Sequence, residues 1–503
     1  MNLEPIIGLE IHVQLKTKSK LFCNCRNAGD PDHPNTNICP VCLGHPGTLP
    51  VANYQAIEWA LVAALALHCH INHNSRFDRK NYFYPDLSKG YQITQADQPI
   101  GLDGRLIITL GEQRKRIGIT RLHLEEDSAK LVHPEKENYS LVDFNRAGTP
   151  LVEIVTEPDI KTPEEAKTFL QELRLIMQYL DISDADMEKG HLRCDANISL
   201  RPIGDKKYYP KTEVKNMNSF RSVERALKFE IERQKKLWEE GNPPSGQSTR
   251  GWDDKKGVTL EQRQKEESHD YRYFPEPDLP PVHFTKKQIE AVKEKLPELP
   301  DEKRKRFHLQ LGIPYSQALV ISVSKPLADF FEKTITELKA WVASKENKDC
   351  VDENIEKKLI KLTVNWITTE ILKLLREYRK EPEELKITPE NMAEFIAMVY
   401  KDEINSSAAQ TVLKEMFEKG SDPSQIVEEK DLKQLSGGKE VEKIIARVIS
   451  ENADVVKTYQ AGKQNALQFL IGQVMKETKG KVNPKIASES LIKMIKNDVN
   501  KQD

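Results

Sequence analysis

The sequence predicts an α+β protein in which an N-terminal half built on an antiparallel sheet is followed by helices alone. Three observations predict it. Residues 1 to about 294 carry short segments in which apolar and polar residues alternate, the pattern of half-buried strands. From about residue 286 the chain turns Lys/Glu/Leu-rich with helical spacing, as in KPLADFFEKTITELKAWVA and VNWITTEILKLLREYRK. Between 241 and 299, GNPPSG, FPEPDLPP and LPELP supply the punctuation of a long irregular segment. The expected parts are 1–294, 295–386 and 387–503. The second break is set at EPEELKITPENM, where Thr388-Pro389 precedes a new helix.

The bulk numbers permit this and exclude other classes. A chain of 503 residues, 38% hydrophobic and 31% charged, suits about three domains with charged surfaces. The net charge of −2 gives no global attraction to nucleic acid, so any such binding needs a local patch. The segment MNLEPIIGLEIHVQL lacks a basic leader pattern and reads as neither a signal nor a transit peptide. The apolar run from Trp59 to Leu67 is too short to span a bilayer, and a cytoplasmic protein is expected.

The strands are the most informative elements. In GLEIHVQL, Leu9, Ile11, Val13 and Leu15 make one face, while Glu10, His12 and Gln14 share the other. In RLHLEED, Arg121, His123, Glu125 and Asp127 align. In LVEIVTE, Glu153 and Glu157 do. In HLRCDANISL, Arg193, Asp195, Asn197 and Ser199 lie opposite an apolar face. In KTEVKN, Lys211, Glu213 and Lys215 align. Any one of these strands is best read as half-buried with a wet face. Together they place acids, His, Arg and Asn on one side of one sheet. Clustered carboxylates repel unless a cation neutralises them, which is how a magnesium site for phosphoryl transfer is built. His12 is a poor magnesium ligand and suits a hydrogen bond to a carboxylate or phosphate, or a softer metal. After KTEVKN, Ser219 should cap a helix whose apolar stripe is Phe220, Val223, Leu227 and Ile231, with Gly241 as its stop.

Two further segments carry chemistry. Cys23-x-Cys25 and Cys39-x-x-Cys42 are pairs separated by a loop, able to wrap one tetrahedral ion. Four thiolates leave no open position, so a structural zinc is expected. His33 and His45 are spare ligand candidates that read better as surface residues or neighbours of that site, and Cys69, Cys194 and Cys350 read as small core residues. RKNYFYPDLSKGYQITQ (79–95) presents Lys80, Tyr82, Tyr84, Lys89 and Tyr91, where lysines could meet phosphates and tyrosines stack on a base or a terminal adenosine. An ordinary loop with surface lysines fits that composition equally well. HDYRYFPEPDLPP (269–281) is similar in flavour, with no chemistry assigned. The chain has no GxxxxGK[ST] loop, GxSxG elbow, Ser-Ser-Lys amidase signature or N-terminal Cys nucleophile. Ammonia released from an amide would have to come from another chain.

IGLEIHVQL, CPVCLGHPGTLPV, FDRKNYFYPDLSKGYQITQ, LHLEEDSAKLVH, DFNRAGTPLVEIVTEPDI, GHLRCDANISLRP, TEVKNMNSFRSVERAL and HDYRYFPEPDLPP together resemble the GatB/GatE family, the B component of the aspartyl/glutamyl-tRNA amidotransferases. GKQNALQFLIGQVMKETKGKVNP resembles that family's YqeY-like tail, so the likeness runs nearly end to end. The inserted domain of the archaeal GatE members is not evident, and GWDD (251–254) departs from a stretch expected to be more basic.

The resemblance implies a cradle-like catalytic domain (1–294), a helical domain (295–386) and a tRNA-gripping tail (387–503). It implies a heterotrimer with an amidase partner (the A component) and a small third partner (the C component). The complex would be a carbon–nitrogen ligase with glutamine as amido donor. ATP with Mg2+ would phosphorylate the side-chain carboxylate of Asp-tRNA(Asn) or Glu-tRNA(Gln), and ammonia from the amidase partner would displace the phosphate. Carried over by motif, the catalytic group is Glu10, His12, Glu125, Glu153, Asp195 and Glu213, with His12, Glu125 and Glu153 as magnesium ligands. Lys80, Tyr82, Lys89 and Ser128 would line the substrate or ammonia path. The last 49 residues hold nine lysines against four acids, a balance of +5 that leaves −7 elsewhere. Lys476, Lys479 and Lys481 are the candidates for tRNA phosphates. Two competing readings are a non-catalytic zinc-containing tRNA scaffold of the same complex and a free-standing amidase or ligase. The second lacks a nucleophile motif.

Overall fold

The computed structural model describes residues 2–27, 33–111, 113–134, 137–264, 270–346, 352–434, 439–460, 462–478, 481–482 and 484–499. The chain divides into two compact units, Met1–Asp301 and Glu302–Asp503. The first is α+β and the second helical, as the patterning predicts.

The first unit is organised by a nine-stranded sheet. In chain order its strands are β1 (Leu3–Gln14), β2 (His70–Ile71), β3 (Gly101–Leu110), β4 (Gln113–Glu126), β5 (Pro150–Thr156), β6 (Leu192–Pro202), β7 (Thr212–Lys215), β8 (Ser248–Asp253) and β9 (Val258–Gln264). Their spatial order is β9-β8-β7-β6-β1-β5-β4-β3-β2. The first strand in sequence is therefore central, flanked by β6 and β5. Burial explains why. Ile7, Leu9, Ile11 and Val13 are all essentially inaccessible. Each contributes about 1.5–3 kcal/mol relative to exposure. A slip of one residue would turn all four out of the core, so the register is strongly specified.

The apolar face of the sheet is covered by α1 (Tyr54–Ala66), α2 (Pro163–Tyr179) and α3 (Phe220–Glu239), whose Leu61, Phe169, Leu173, Val223 and Leu227 join its core. Side chains open each helix: Asn53, Thr162 and Ser219 accept from the backbone N–H groups of Ala56, Glu165 and Ser222. Gly241, at φ +76°, follows the end of α3, as expected of a stop. One feature departs from the antiparallel expectation. β7 and β8 run parallel, because α3 lies between them and carries the chain back across the sheet.

In the second unit the helices form two apolar cores. One gathers Phe307, Phe331, Ile367, Phe395 and Phe417. The other gathers Val441, Ile445, Leu470, Val474 and Leu491. A helix begins at Pro389 with Thr388 as its cap, where the sequence places a break, and it packs within the first of these cores. Among the described residues, no helix is long and apolar enough to cross a membrane.

Candidate active site and thiol cluster

The polar face of the sheet gathers the side chains that alternation assigns to it. The register sets Arg193, His12, Glu153 and His123 side by side across β6, β1, β5 and β4. His12 Nε2 lies 3.6 Å from Glu125 and 3.4 Å from Glu153, and His123 Nε2 lies 3.1 Å from the same Glu153 oxygen. Glu10 belongs to the group, with ligand atoms of Glu10, His12 and Glu153 all within 4.8 Å of one another. His123, Glu125 and Glu153 form an overlapping set on the same criterion.

Electrostatics follow from this packing. Burial and then the Glu153 charge push Glu10 above the usual carboxylate range. Burial disfavours the charged form of Glu153, but His123 and His12 outweigh it and hold the carboxyl well below the ordinary value. Burial likewise opposes the protonated His12, yet its bonds to Glu125 and Glu153 raise it to about 10. Oε2 of Glu125 is buried with no hydrogen-bond partner.

A three-stranded sheet made of Asp78–Asn81, Tyr91–Thr94 and Phe274–Pro275 supplies the neighbouring wall. Lys80 lies 3.7 Å from Glu125 and sits over the Tyr271 ring at 5.2 Å and the Tyr82 ring at 6.0 Å. Burial alone would lower Lys80, but Glu125 and Glu153 outweigh it and raise it. Gln92 is buried and donates from Nε2 to Glu125 Oε1 and to the Glu126 carbonyl, both at 2.6 Å. Lys89 binds both oxygens of Glu126 at 2.6 and 2.7 Å. On the other flank Lys215 bridges Asp195 at 2.5 Å and Glu213 at 3.1 Å.

Sequence reasoning placed Glu10, His12, Glu125 and Glu153 together, and so does the structure. Asp195 and Glu213 share the face but meet through Lys215. Lys80 and Tyr82 adjoin Glu125. Ser128 stands apart, its hydroxyl directed to the Ala129 carbonyl at 3.5 Å. Glu157 lies beyond an irregularity in β5 and bonds Thr120 instead. His123 was on the predicted face yet not among the selected residues. Gln92 and Tyr271 had no periodic signal, since they come from segments whose approach to the sheet no pattern encodes. In the second unit Lys476 is exposed at the end of a helix, and Lys481 is paired with Asp431. Lys479 lies outside the described residues, as does Cys350.

The four cysteines converge, with all four sulfurs within 4.8 Å of one another. Consecutive turns after Cys39 return the chain: Leu43, Gly44 and His45 donate to the carbonyls of Cys39, Val41 and Pro40. Cys42 accepts from the Cys39 N–H at 3.1 Å, and the Lys20 ammonium lies 3.7 Å away. A hydrogen bond from Cys23 and the Lys20 charge outweigh burial and pull Cys42 down to about 4, while Cys23 moves up as the proton-holding partner. This donor set could hold a metal ion and suits a structural one. The cluster also touches the wall described above. Ser88 Oγ donates to the Cys42 carbonyl at 2.8 Å, and a small cavity of about 30 Å³ lies between Cys23, Cys42, Lys89 and Glu126. Gly44, at φ +67°, sits so close that a Cβ there would come within 2.8 Å of Lys89 Cγ.

Residues 5–290 match the model of the GatB/GatE catalytic domain, and residues 349–495 match that of the GatB domain. The chain is 48% identical over 491 residues to a protein of Carboxydothermus hydrogenoformans, covering 97% of this chain and 98% of that one. It is 48% identical over 502 residues to a protein of Thermotoga maritima, covering 99% and 100%. It is 47% identical over 496 residues to a protein of Persephonella marina, again covering 99% and 100%. All three relatives are named as the B component of an aspartyl/glutamyl-tRNA(Asn/Gln) amidotransferase.

Proposed function

The chain belongs to the GatB/GatE family, and from that membership we propose that it is the carboxylate-activating, tRNA-binding subunit of a glutamine-dependent aspartyl/glutamyl-tRNA amidotransferase. The observation that carries the reading is the group of half-buried Glu10 and His12 with buried Glu125 and Glu153, Lys80 standing at its edge. Carboxylates this close need compensating positive charge, and Glu125 keeps a buried oxygen that makes no hydrogen bond and faces the Lys80 ammonium at 3.7 Å. The oxygen donors of Glu125, Glu153 and Glu10 fit Mg2+, with His12 as a further donor or as a hydrogen-bond partner. Bound there with ATP, the ion would supply charge neutralisation for phosphoryl transfer.

The residues of this chain have separable tasks. A free carboxylate resists ammonia, whereas an acyl phosphate is displaced readily. The side-chain carboxylate of a misacylated Asp-tRNA(Asn) or Glu-tRNA(Gln) must therefore be brought against ATP without repulsion. Lys80, already held near Glu125 by aromatic rings, is placed to meet that incoming anion. Asp195 and Glu213, joined by Lys215, form the far edge of the same face. Ammonia made by the amidase partner would pass Lys89 and Glu126, which border the cavity beside the thiol cluster. Tyr82 and Ser128 belong to this proposed path. A zinc ion held by Cys23, Cys25, Cys39 and Cys42 would brace the Lys89 loop through Ser88 and Gly44. The small third partner completes the complex, which acts in the cytoplasm.

We place tRNA binding in the C-terminal part, within 387–503, following a catalytic region (1–294) and a helical one (295–386). The basic excess supports this, with Lys476 the exposed candidate. At Lys481 a phosphate would compete with Asp431. The deciding experiment is an assay of the purified trimer with each misacylated tRNA, following ADP and amidated aminoacyl-tRNA together. Release of ADP coupled to amidation supports the reading. Tight tRNA binding with no ATP cleavage would favour a non-catalytic scaffold.

A further inference from the structure

Gln92 is a neutral side chain that ties the carboxylate group to the Lys89–Glu126 pair, and its geometry is over-determined. It is 6% exposed. Its Nε2 donates to Glu125 Oε1 and to the carbonyl of Glu126, each at 2.6 Å. Its Oε1 accepts from the Tyr82 hydroxyl at 3.2 Å. Two acceptors on one side and a phenol donor on the other permit only this orientation of the amide. The next residue repeats the link, since the Ile93 N–H donates to Glu126 Oε1 at 2.9 Å. Across the small sheet Gln92 pairs with Lys80, whose ammonium faces Glu125.

The consequence falls on Glu125. Its Oε1 is engaged by Gln92 at 2.6 Å, with His12 Nε2 3.6 Å away, while Oε2 is buried, makes no hydrogen bond and faces the Lys80 ammonium at 3.7 Å. A carboxylate free to rotate would satisfy both oxygens in turn. Held at one oxygen by a neutral donor, it offers the other in a fixed direction and keeps its charge. A cationic residue in place of Gln92 would add a further positive charge to those of Lys80 and His12 and compete with an incoming ion. An acid would repel it.

We propose that Gln92 is a positioning residue for the cation site, fixing the Glu125 carboxylate so that one oxygen remains directed at the ion. This rests on the reading of the Glu10–His12–Glu125–Glu153 group as a divalent-cation site. Partners that orient a metal's ligands are typically worth about 10- to 100-fold in metal affinity. Gln92→Leu removes the donor at similar volume, and Gln92→Asn keeps the amide but shortens its reach.

The test is Mn2+ binding to the full-length chain, followed by the electron paramagnetic resonance of free Mn2+. Glu125→Ala serves as the blank for other sites. Wild type should bind an ion that the blank loses. Gln92→Leu and Gln92→Asn should weaken that binding by about 10- to 100-fold while still folding cooperatively, with the melting temperature lowered by the lost hydrogen bonds. In the assembled complex, the Mg2+ concentration for half-maximal ADP release should rise by a similar factor. The rate at saturating Mg2+ and the glutaminase activity should stay near wild type. Wild-type affinity in both Gln92 variants would overturn the proposal and leave the cation site standing. Failure of wild type to bind any ion that the blank loses would overturn the site itself, and the proposal with it. Should Gln92→Leu fail to fold cooperatively, the Asn variant decides alone.

Discussion

Two groups of potential ligands lie in the first unit and differ in how the chain makes them. The four cysteines come from positions 23 to 42, delivered by loops and tight turns. The acid–histidine group comes from three neighbouring strands spread over residues 10 to 153, and it exists only because those strands pair in register. The first can form wherever its own loop closes. The second is a property of the folded sheet. A locally built site suits a structural ion, since the binding energy is spent holding loops together. A sheet-built site suits chemistry, since rigid strands hold charges in fixed places against their mutual repulsion.

If this difference is functional, the largest effect comes from the sheet. Glu125→Ala or Glu153→Ala should reduce tRNA-dependent ATP cleavage and amidation by about a hundredfold or more, the scale of losing one charge-stabilising group. Glutaminase activity of the partner should survive. Amidation at the wild-type rate in both variants would break the comparison, because the buried acids would then be mere structure.

Removing residues 439–503, which hold the second helical core whole, should raise the Michaelis constant for misacylated tRNA by about tenfold or more. The salt dependence of tRNA binding should flatten, by about one unit of slope for each phosphate no longer held. Both ligand groups should keep their ions. An unchanged slope would show that this tail does not hold the nucleic acid.

Cys39→Ser should deplete the purified protein of zinc and lower its melting temperature. The sheet-built site should keep most of its cation affinity. X-ray absorption on wild type should give zinc–sulfur distances of about 2.3 Å. Zinc-free wild type, or a variant with unaltered metal and melting, would remove one side of the comparison. The smallest effect is expected where the two groups touch. Ser88→Ala deletes the hydroxyl that meets the Cys42 carbonyl and should cost about 0.5–1.5 kcal/mol in unfolding free energy. It should leave zinc content unchanged.

The same contrast governs what could be read in the sequence. The cysteine pairs are visible as spacing alone. The acids are visible as alternation, because a strand's period of two assigns Glu10, His12, Glu153 and Asp195 to a face before any partner is known. Alternation does not say which strands are neighbours, so Glu213, one strand further out and held by Lys215, entered with the same weight as Asp195, which lies directly across from Glu10. It also fails past an irregularity, as Glu157 shows. Gln92 and Tyr271 reach the site from a different sheet, and nothing local to them encodes that approach. The parallel β7–β8 pair went unseen because periodicity carries no direction. Charge counting found a basic tail, yet it could not foresee that Asp431 occupies Lys481.

The central place of β1 has a consequence for synthesis on the ribosome. This strand leaves the exit tunnel before its two neighbours, which begin at Pro150 and Leu192. At about 5–20 residues per second, β1 waits roughly ten to thirty-five seconds for the second of them. Through that interval its alternating apolar side chains and both rows of backbone groups lack their final partners, the condition under which nascent strands pair with the wrong chain. Slow folding is expected on the same ground, since chain closures of this length precede any reward from the contacts they bring. A nascent chain arrested before residue 192 should stay protease-sensitive across β1, and one arrested well beyond residue 202 should become resistant there.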